Sequence, residues 1–265
     1  MQSEKLRELY SRYDIYNLSK GIVGDKLGDL FEEYVCEILN NRELLSNMQD
    51  DIAIESIEQE IFNEIIMKSI SHENISAITE IMATTCIPSL PSGGNPKTDI
   101  NSVVEFESLD NENISISVKQ SSVSKVAMAE FDVDTIVREV GITNLRLIEL
   151  MKKHQDDASA KNLTSEEKLE LKTSLAPIAK PLVRWIISGS STQNDPDIRV
   201  PNYIIKFKVE KITFDFSCFS VYSIEEYIDE IMLNNKGSLK TGGFGTGLSW
   251  TYATGSKFRK IQFKG

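Results

Sequence analysis

Scarcity sets the first limits on this chain. Its 265 residues hold three cysteines, Cys36, Cys86 and Cys218, and two histidines, His72 and His154. An odd number of widely spaced cysteines builds no disulfide framework and fits reduced thiols in a cytosolic protein, so a cytoplasmic location is expected. Neither histidine stands at metal-ligand spacing from a cysteine, and a structural zinc is not expected. No run of about 18 apolar residues is present, so no membrane span is expected and no membrane partner. Met1–Arg7 lacks the apolar stretch of a secretory leader, so secretion is not expected either. An apolar content of 40% with 26% charged residues describes a globular chain able to bury a core without a metal or disulfide staple.

Acid is abundant in total and absent where it matters. The formal net charge is −11, which argues against nucleic acid if the charge is spread evenly. It is not. Between Lys236 and Gly265 there is no Asp or Glu, while Lys236, Lys240, Lys257, Arg259, Lys260 and Lys264 are all present. A segment of +6 thus follows a body of −17, and such a segment makes its own positive field. Phe244, Leu248, Trp250, Tyr252, Phe258, Ile261 and Phe263 are too many large apolar groups for a disordered tail. Leu248, Trp250 and Tyr252 alternate with Ser249, Thr251 and Ala253, and Ile261 and Phe263 with Gln262 and Lys264. The pattern predicts two short half-buried strands after a glycine-rich loop. Their outward face of Thr, Ser, Gln and Lys carries groups that contact base edges and phosphates in a groove.

Upstream, 3/4-spaced apolar stripes predict helices over 22–46 and 52–70, with a short one over 73–84. The Pro- and Gly-rich stretch 88–96 is a loop. Strands are predicted over 99–106 and 114–119, then helices over roughly 129–140, 143–154, 165–173 and 177–188. Ser188–Pro201 is a polar loop, 203–209 and 212–221 a second strand pair, and 223–233 a helix. With no repeat and no long linker, these elements make one α/β domain, with helices covering a mixed sheet.

In the strand Ile114–Lys119, Ile114, Ile116 and Val118 face one side while Ser115, Ser117 and Lys119 face the other. If 99–106 and 114–119 pair as a hairpin, Asp99 and Lys119 meet near its open ends. Such a pair is either a structural ion pair or a site that holds Mg²⁺ against a phosphate. Spacing alone does not decide between them. Trp185, in the apolar run Leu182–Ile187, is expected in the core, and His154 is expected at a surface helix end.

Ser92-Gly93-Gly94-Asn95-Pro96-Lys97-Thr98-Asp99 followed by Ser117-Val118-Lys119 resembles the active-site region of the MspI family of type II restriction endonucleases, in the PD-(D/E)xK nuclease class. The segments Ala129–Ile136, Lys153–Asp156, Phe244–Tyr252 and Gln262–Gly265 are similar to the same family, so the likeness runs along most of the chain. It implies a restriction-endonuclease-like α/β fold: a mixed β-sheet flanked by helices, with a basic C-terminal ribbon-and-loop segment. It divides a single endonuclease domain, 1–265, into a helical N-terminal region (1–90), a catalytic core (91–235) and a recognition segment (236–265). It implies Mg²⁺-dependent hydrolysis of double-stranded DNA at a short palindrome, CCGG, leaving 5′-phosphate and 3′-hydroxyl ends. A cognate DNA methyltransferase is implied as the functional counterpart.

By the resemblance, Asp99 is the metal-binding carboxylate, the carbonyl of Val118 a further ligand, and Lys119 the group that orients the attacking water. Thr251, Thr254, Ser256, Lys257, Gln262 and Lys264 are the implied DNA contacts. Ser117 occupies the catalytic position where the wider class carries an acid. Another carboxylate must then help, and Glu33 and Glu105 are the candidates. Ala127 replaces a family serine, which weakens the inference to CCGG more than that to cleavage. The alternative function is sequence-specific DNA binding on the same fold with little or no cleavage. The oligomeric state is open between a dimer, which a palindrome suggests by symmetry, and a monomer on DNA. Gly243–Gly247 fails the dinucleotide-binding pattern, and Thr254–Lys257 is not a phosphate-binding P-loop.

Overall fold

A computed structural model describes residues 3–91, 93–123, 125–211, 213–214, 216–233 and 243–265. Lys236 and Lys240 of the basic segment lie outside the described residues. In chain order the elements are α1 (Glu4–Arg12), α2 (Lys20–Leu39), α3 (Arg42–Gln49), α4 (Ile57–Ser69), β1 (Ile78–Thr84), β2 (Ile100–Phe106), β3 (Glu112–Ser121), β4 (Ala127–Phe131), α5 (Val133–Val140), α6 (Leu145–Asp156), α7 (Ser165–Leu175), α8 (Ala179–Ser188), β5 (Tyr203–Val209), β6 (Phe216–Ser223), α9 (Ile224–Leu233), β7 (Ser249–Thr251) and β8 (Ile261–Lys264). The fold is a mixed α/β one, as expected. No described helix is long and apolar enough to cross a membrane.

The chain gathers into two compact units. The first comprises Met1–Ser124 and Pro196–Ser223. Its five-stranded sheet has the order β1-β2-β3-β5-β6. β3 and β5 run parallel, and the other neighbours are antiparallel. The apolar stripe of α2 (Leu27, Leu30, Phe31, Tyr34, Val35, Ile38) is buried, and the helix lies against β1, β2 and β3. The Phe31 ring stacks on Phe207 of β5 at 4.6 Å. Side-chain oxygens start the helices cleanly: Ser3 accepts from the Leu6 amide and Ser56 from the Gln59 amide.

The second unit comprises Lys125–Asp195 and Ile224–Gly265. Helices α5–α9 accompany a three-stranded antiparallel sheet, β4-β8-β7. The inner face of that sheet carries Trp250 and Phe263, both buried, as the alternation predicts. Trp185 is buried too, packed on the Phe131 ring. Gly247 permits the closure: its φ is +77°, and an added Cβ would lie 2.0 Å from the Ile231 carbonyl oxygen.

Five expected elements come out differently. The helix over 22–46 is two, α2 and α3, broken at Asn40–Asn41, where Asn41 caps the second by accepting from the Glu43 amide. The helix over 52–70 begins only at Ile57, leaving Ile52 and Ile54 exposed. Residues 78–84 form a strand. A register shift between Ile78 and Glu80 gives that strand a three-residue burial rhythm, which mimics a helix. Residues 127–131 pair with β8, and α5 starts only after Asp132 caps it. The strand expected over 212–221 runs from Phe216 to Ser223, Ile212 and Asp215 being outside the described residues.

Gly247→Ala is expected to cost about 2–4 kcal/mol, from overpacking against backbone plus left-handed strain. Gly255→Ala, with open space around the added carbon, serves as the control. Denaturant unfolding of the two variants checks this.

Candidate functional site

The first unit brings Asp99, Ser117, Val118 and Lys119 together. The chain enters β2 from a loop in which Gly93 and Gly94 have positive φ, and the amides of Lys97 and Thr98 both donate to the Arg199 carbonyl. The Asp99 amide then donates to Ile116 O at 2.9 Å, which locks the β2–β3 register. One carboxylate oxygen, Oδ2, consequently receives three donors: Val118 N at 2.7 Å, Ser117 Oγ at 3.0 Å and Lys119 Nζ at 3.0 Å. Lys119 Nζ also donates to Val118 O at 2.9 Å. The ammonium therefore bridges the carboxylate and the main-chain carbonyl that sequence reasoning grouped as metal ligands. Asp99 and Lys119 keep 18% and 20% of their side-chain surface, so the site is sheltered but reachable.

Sequence reasoning missed a further acid that feels the charges of this group. Burial, and next the Asp99 charge, push Glu32 of α2 up to about 7, with Lys119 opposing. Successive helix residues advance about 100°, which puts Glu32 on the flank of the buried stripe beside Val35 and Leu39. Glu33, one step on, flanks the other edge of the stripe, and its carboxylate takes the Arg12 guanidinium and the Tyr13 hydroxyl. Helix phase alone does not choose between them, since both flank the stripe. Glu105 lies six residues along β2 from Asp99, roughly 20 Å at strand rise, and cannot reach the site. Lys97 is the second lysine here: burial, then the Lys119 charge, bring it down to about 8 against the pull of Asp99, although some of its surface meets solvent.

Among the described residues no three His, Cys, Asp or Glu side chains form a metal cage. The Asp99 carboxylate and the Val118 carbonyl, with the Glu32 carboxyl within reach of the Asp99 charge, offer hard oxygens. That suits a cation which keeps waters and takes further ligands from a phosphate substrate, as Mg²⁺ does.

The second unit places the other predicted residues. Register pairs Glu130, Gln262 and Thr251 across β4, β8 and β7, with Lys264 opposite Ser249 in the next row. These side chains stand on the face opposite Trp250 and Phe263. Thr251 Oγ1 donates to Gln262 O at 3.1 Å, and Ser256 Oγ to Glu130 Oε2 at 2.7 Å. Thr254 and Lys257 are exposed in the turn between β7 and β8, where Lys257 Nζ lies 4.9 Å from the centre of the Phe258 ring. His154 is not at the surface. It is 1% exposed, ringed edge-on by Phe244 and Trp250, with Nδ1 2.6 Å from the Tyr252 hydroxyl. That hydroxyl donates to the His154 carbonyl at 2.8 Å, tying α6 to the chain just after β7.

Residues 8–265 match the family model of the restriction endonuclease MspI. The chain is 32% identical to the type II restriction enzyme MspI of Moraxella sp., covering all of both chains. It is 25% identical to the type II restriction enzyme BsuFI of Bacillus subtilis, over 94% of this chain and 61% of that one. A solved structure of restriction endonuclease MspI in complex with its cognate DNA superposes over the full length of both chains, with a TM-score of 0.87 at 30% identity.

Burial holds His154 down at about 4, from an ordinary 6.5. Between those values the unfolded chain binds a proton that the folded chain refuses, so stability falls as pH drops from 6.5 toward 4. The loss attributable to His154 approaches about 3 kcal/mol. His154→Gln is expected to flatten that section of the profile, read as the difference in unfolding free energy between the two proteins from pH 7 to 4.5.

Proposed function

The chain belongs to the restriction endonuclease MspI family, and on that premise we propose that it cuts double-stranded DNA at CCGG with Mg²⁺, using Asp99, Glu32, Val118, Lys119 and Ser117. As a member it is a type II site-specific deoxyribonuclease. Type II restriction endonucleases generally use divalent metal ions. The observation that carries the residue assignment is the convergence of Val118 N, Ser117 Oγ and Lys119 Nζ on one oxygen of Asp99.

Asp99, Glu32 and the Val118 carbonyl would hold the ion. When bound, it supplies charge neutralisation at the phosphate and a lower pKa for water. Lys119, beside Asp99, orients the attacking water and offsets charge on the pentacovalent phosphate. The water oxygen joins phosphorus, the bond to the 3′ oxygen breaks, and the products are a 5′-phosphate and a 3′-hydroxyl. Ser117 is fully buried and donates to Asp99, so its role is to aim that carboxylate. The acid absent from its position is supplied by Glu32.

Thr251, Thr254, Ser256, Lys257, Gln262 and Lys264 contact the DNA in this reading. The recognition segment 236–265 works within one endonuclease together with the helical N-terminal region, 1–90, and the core, 91–235. The cell that makes the enzyme protects its own CCGG sites with a cognate methyltransferase. The enzyme acts in the cytoplasm.

Unmethylated plasmid should give discrete fragments with Mg²⁺ and none with EDTA, and sequencing of the ends should read CCGG. Duplex retention without cleavage would instead favour the binding-only alternative that Ser117 raises. Lys119→Ala is expected to lower cleavage at least 10³-fold with binding to a CCGG duplex kept within a few-fold; loss of both would make Lys119 structural. Because Glu32 holds a proton up to about pH 7, metal must displace it, and the Mg²⁺ requirement should rise as pH falls from 8 to 6. Glu32→Gln should raise that requirement about tenfold or more and abolish its pH dependence, measured by Mg²⁺ titration of single-turnover cleavage.

A further inference from the structure

The DNA-facing side of the small sheet contains one feature that simple phosphate binding does not explain. Residues 243–265 contain no acid, yet Glu130 of the neighbouring strand β4 stands at one end of the row, beside Gln262. Its Oε1 accepts from Gln262 Nε2 at 2.6 Å and its Oε2 from Ser256 Oγ at 2.7 Å. At the other end of the Gln262 amide, Oε1 lies 3.3 Å from Thr251 Oγ1. Ser256, Glu130, Gln262 and Thr251 thus form one connected chain of side chains. All four are half-buried, so they are sheltered enough to be ordered and open enough to be touched.

A negative charge at a polyanion-binding face weakens attraction to every DNA sequence alike. What it gives in return is direction. A carboxylate only accepts, so the Gln262 end beside it must be the NH₂ end, and the carbonyl end must be the one beside Thr251. Gln262 then has one N–H committed to Glu130 and the second left to present. An amide free to rotate would offer donor and acceptor equally and discriminate poorly between bases whose edges differ in those groups.

We propose that Glu130 is a positioning residue that sets base specificity, by fixing the Gln262 amide with its N–H donor toward an acceptor edge such as guanine O6 or N7. The inference rests on the reading of β7 and β8 as the base-contacting surface. Glu130 acts through Gln262 and needs no contact with DNA itself.

The test measures binding without cleavage, by fluorescence anisotropy in EDTA at fixed salt. The duplexes carry CCGG, each single-base-pair change of CCGG, or an unrelated sequence. Glu130→Gln keeps the size of the side chain but can meet either end of the Gln262 amide. It is expected to lower the ratio of CCGG to singly altered-site affinity about tenfold, with binding to the unrelated duplex equal or stronger. Glu130→Ala should do the same to a larger degree. An equal change on all duplexes, or none, would overturn the proposal. Gln262→Ala is run in parallel. If it relaxes discrimination while Glu130→Gln does not, the role of Glu130 fails alone. If neither does, the reading of the β7–β8 face fails and takes this inference with it. Unfolding midpoints within a degree or two of the parent guard against a folding defect.

Discussion

The backbone bond from the Asp99 amide to Ile116 O fixes more of this molecule's chemistry than its length suggests. It sets the register in which Ile100 faces Ile116, and that register puts the Asp99 carboxylate against Val118 N and Lys119 Nζ. Strand side chains alternate, so a slip of one residue would carry Lys119 to the opposite face and leave Asp99 facing valine. The slip is resisted from several directions. β3 is an inner strand, held antiparallel by β2 on one edge and parallel by β5 on the other. Its apolar positions Ile114, Ile116 and Val118 are buried. Even the polar side is enclosed, with Ser115 and Ser117 at 2% and 0% exposure, so only Lys119, at the end of the buried run, offers charge to the surface.

The sheet was legible in the sequence where local pattern and tertiary pairing agree. Asp99–Phe106, Ile114–Lys119 and Tyr203–Val209 read as strands because their alternation is strict and their partners are near in sequence or equally regular. Ile78–Thr84 was not legible: its bulge puts Ile78 and Ile81 on one side, the spacing of a helix. Ala129–Phe131 was lost for a different reason. Its partner strand β8 begins 130 residues later, and nothing local distinguishes it from the helix that Asp132 caps next. The tail was the reverse case, since Trp250 and Phe263 alternate so clearly with hydroxyl, amide and ammonium that both faces could be assigned before pairing was known. At the site, Asp99 and Lys119 were legible through the hairpin. Glu32 was not, because Asp25, Glu32 and Glu33 all flank the α2 stripe and helix phase does not choose among them. His154 was misplaced because flanking lysines suggest solvent, while Phe244, Trp250 and Tyr252, far along the chain, supply its enclosure.

The charge distribution follows the same separation of roles. A net −11 describes neither portion of a chain whose last thirty residues carry +6. Screening confines such fields to about 8–10 Å at physiological salt, so DNA senses the local sign and not the total. Within the basic segment's own sheet, Glu130 adds the opposite sign where a side chain must be aimed rather than where a phosphate must be held.

Glu32 resolves the remaining difficulty, which is electrostatic. Two carboxylates gathered to hold a cation repel each other whenever the cation is absent, and a buried unpaired charge is costly. Here the cost is avoided in two ways at once. Asp99 takes three hydrogen-bond donors on one oxygen, including the Lys119 ammonium, and Glu32 keeps a proton up to about pH 7. Lys119 thus balances Asp99 while Lys97 adds a positive charge nearby, and Lys119 Nζ stands at the carboxylate and carbonyl oxygens that a divalent ion would take. An acid at position 117, buried as Ser117 is, would have placed a second charge beside Asp99 with no helix flank to shelter its proton. On the proposed assignment, the acid on α2 keeps the two carboxylates on different elements and leaves the Ser117 hydroxyl donating to Asp99.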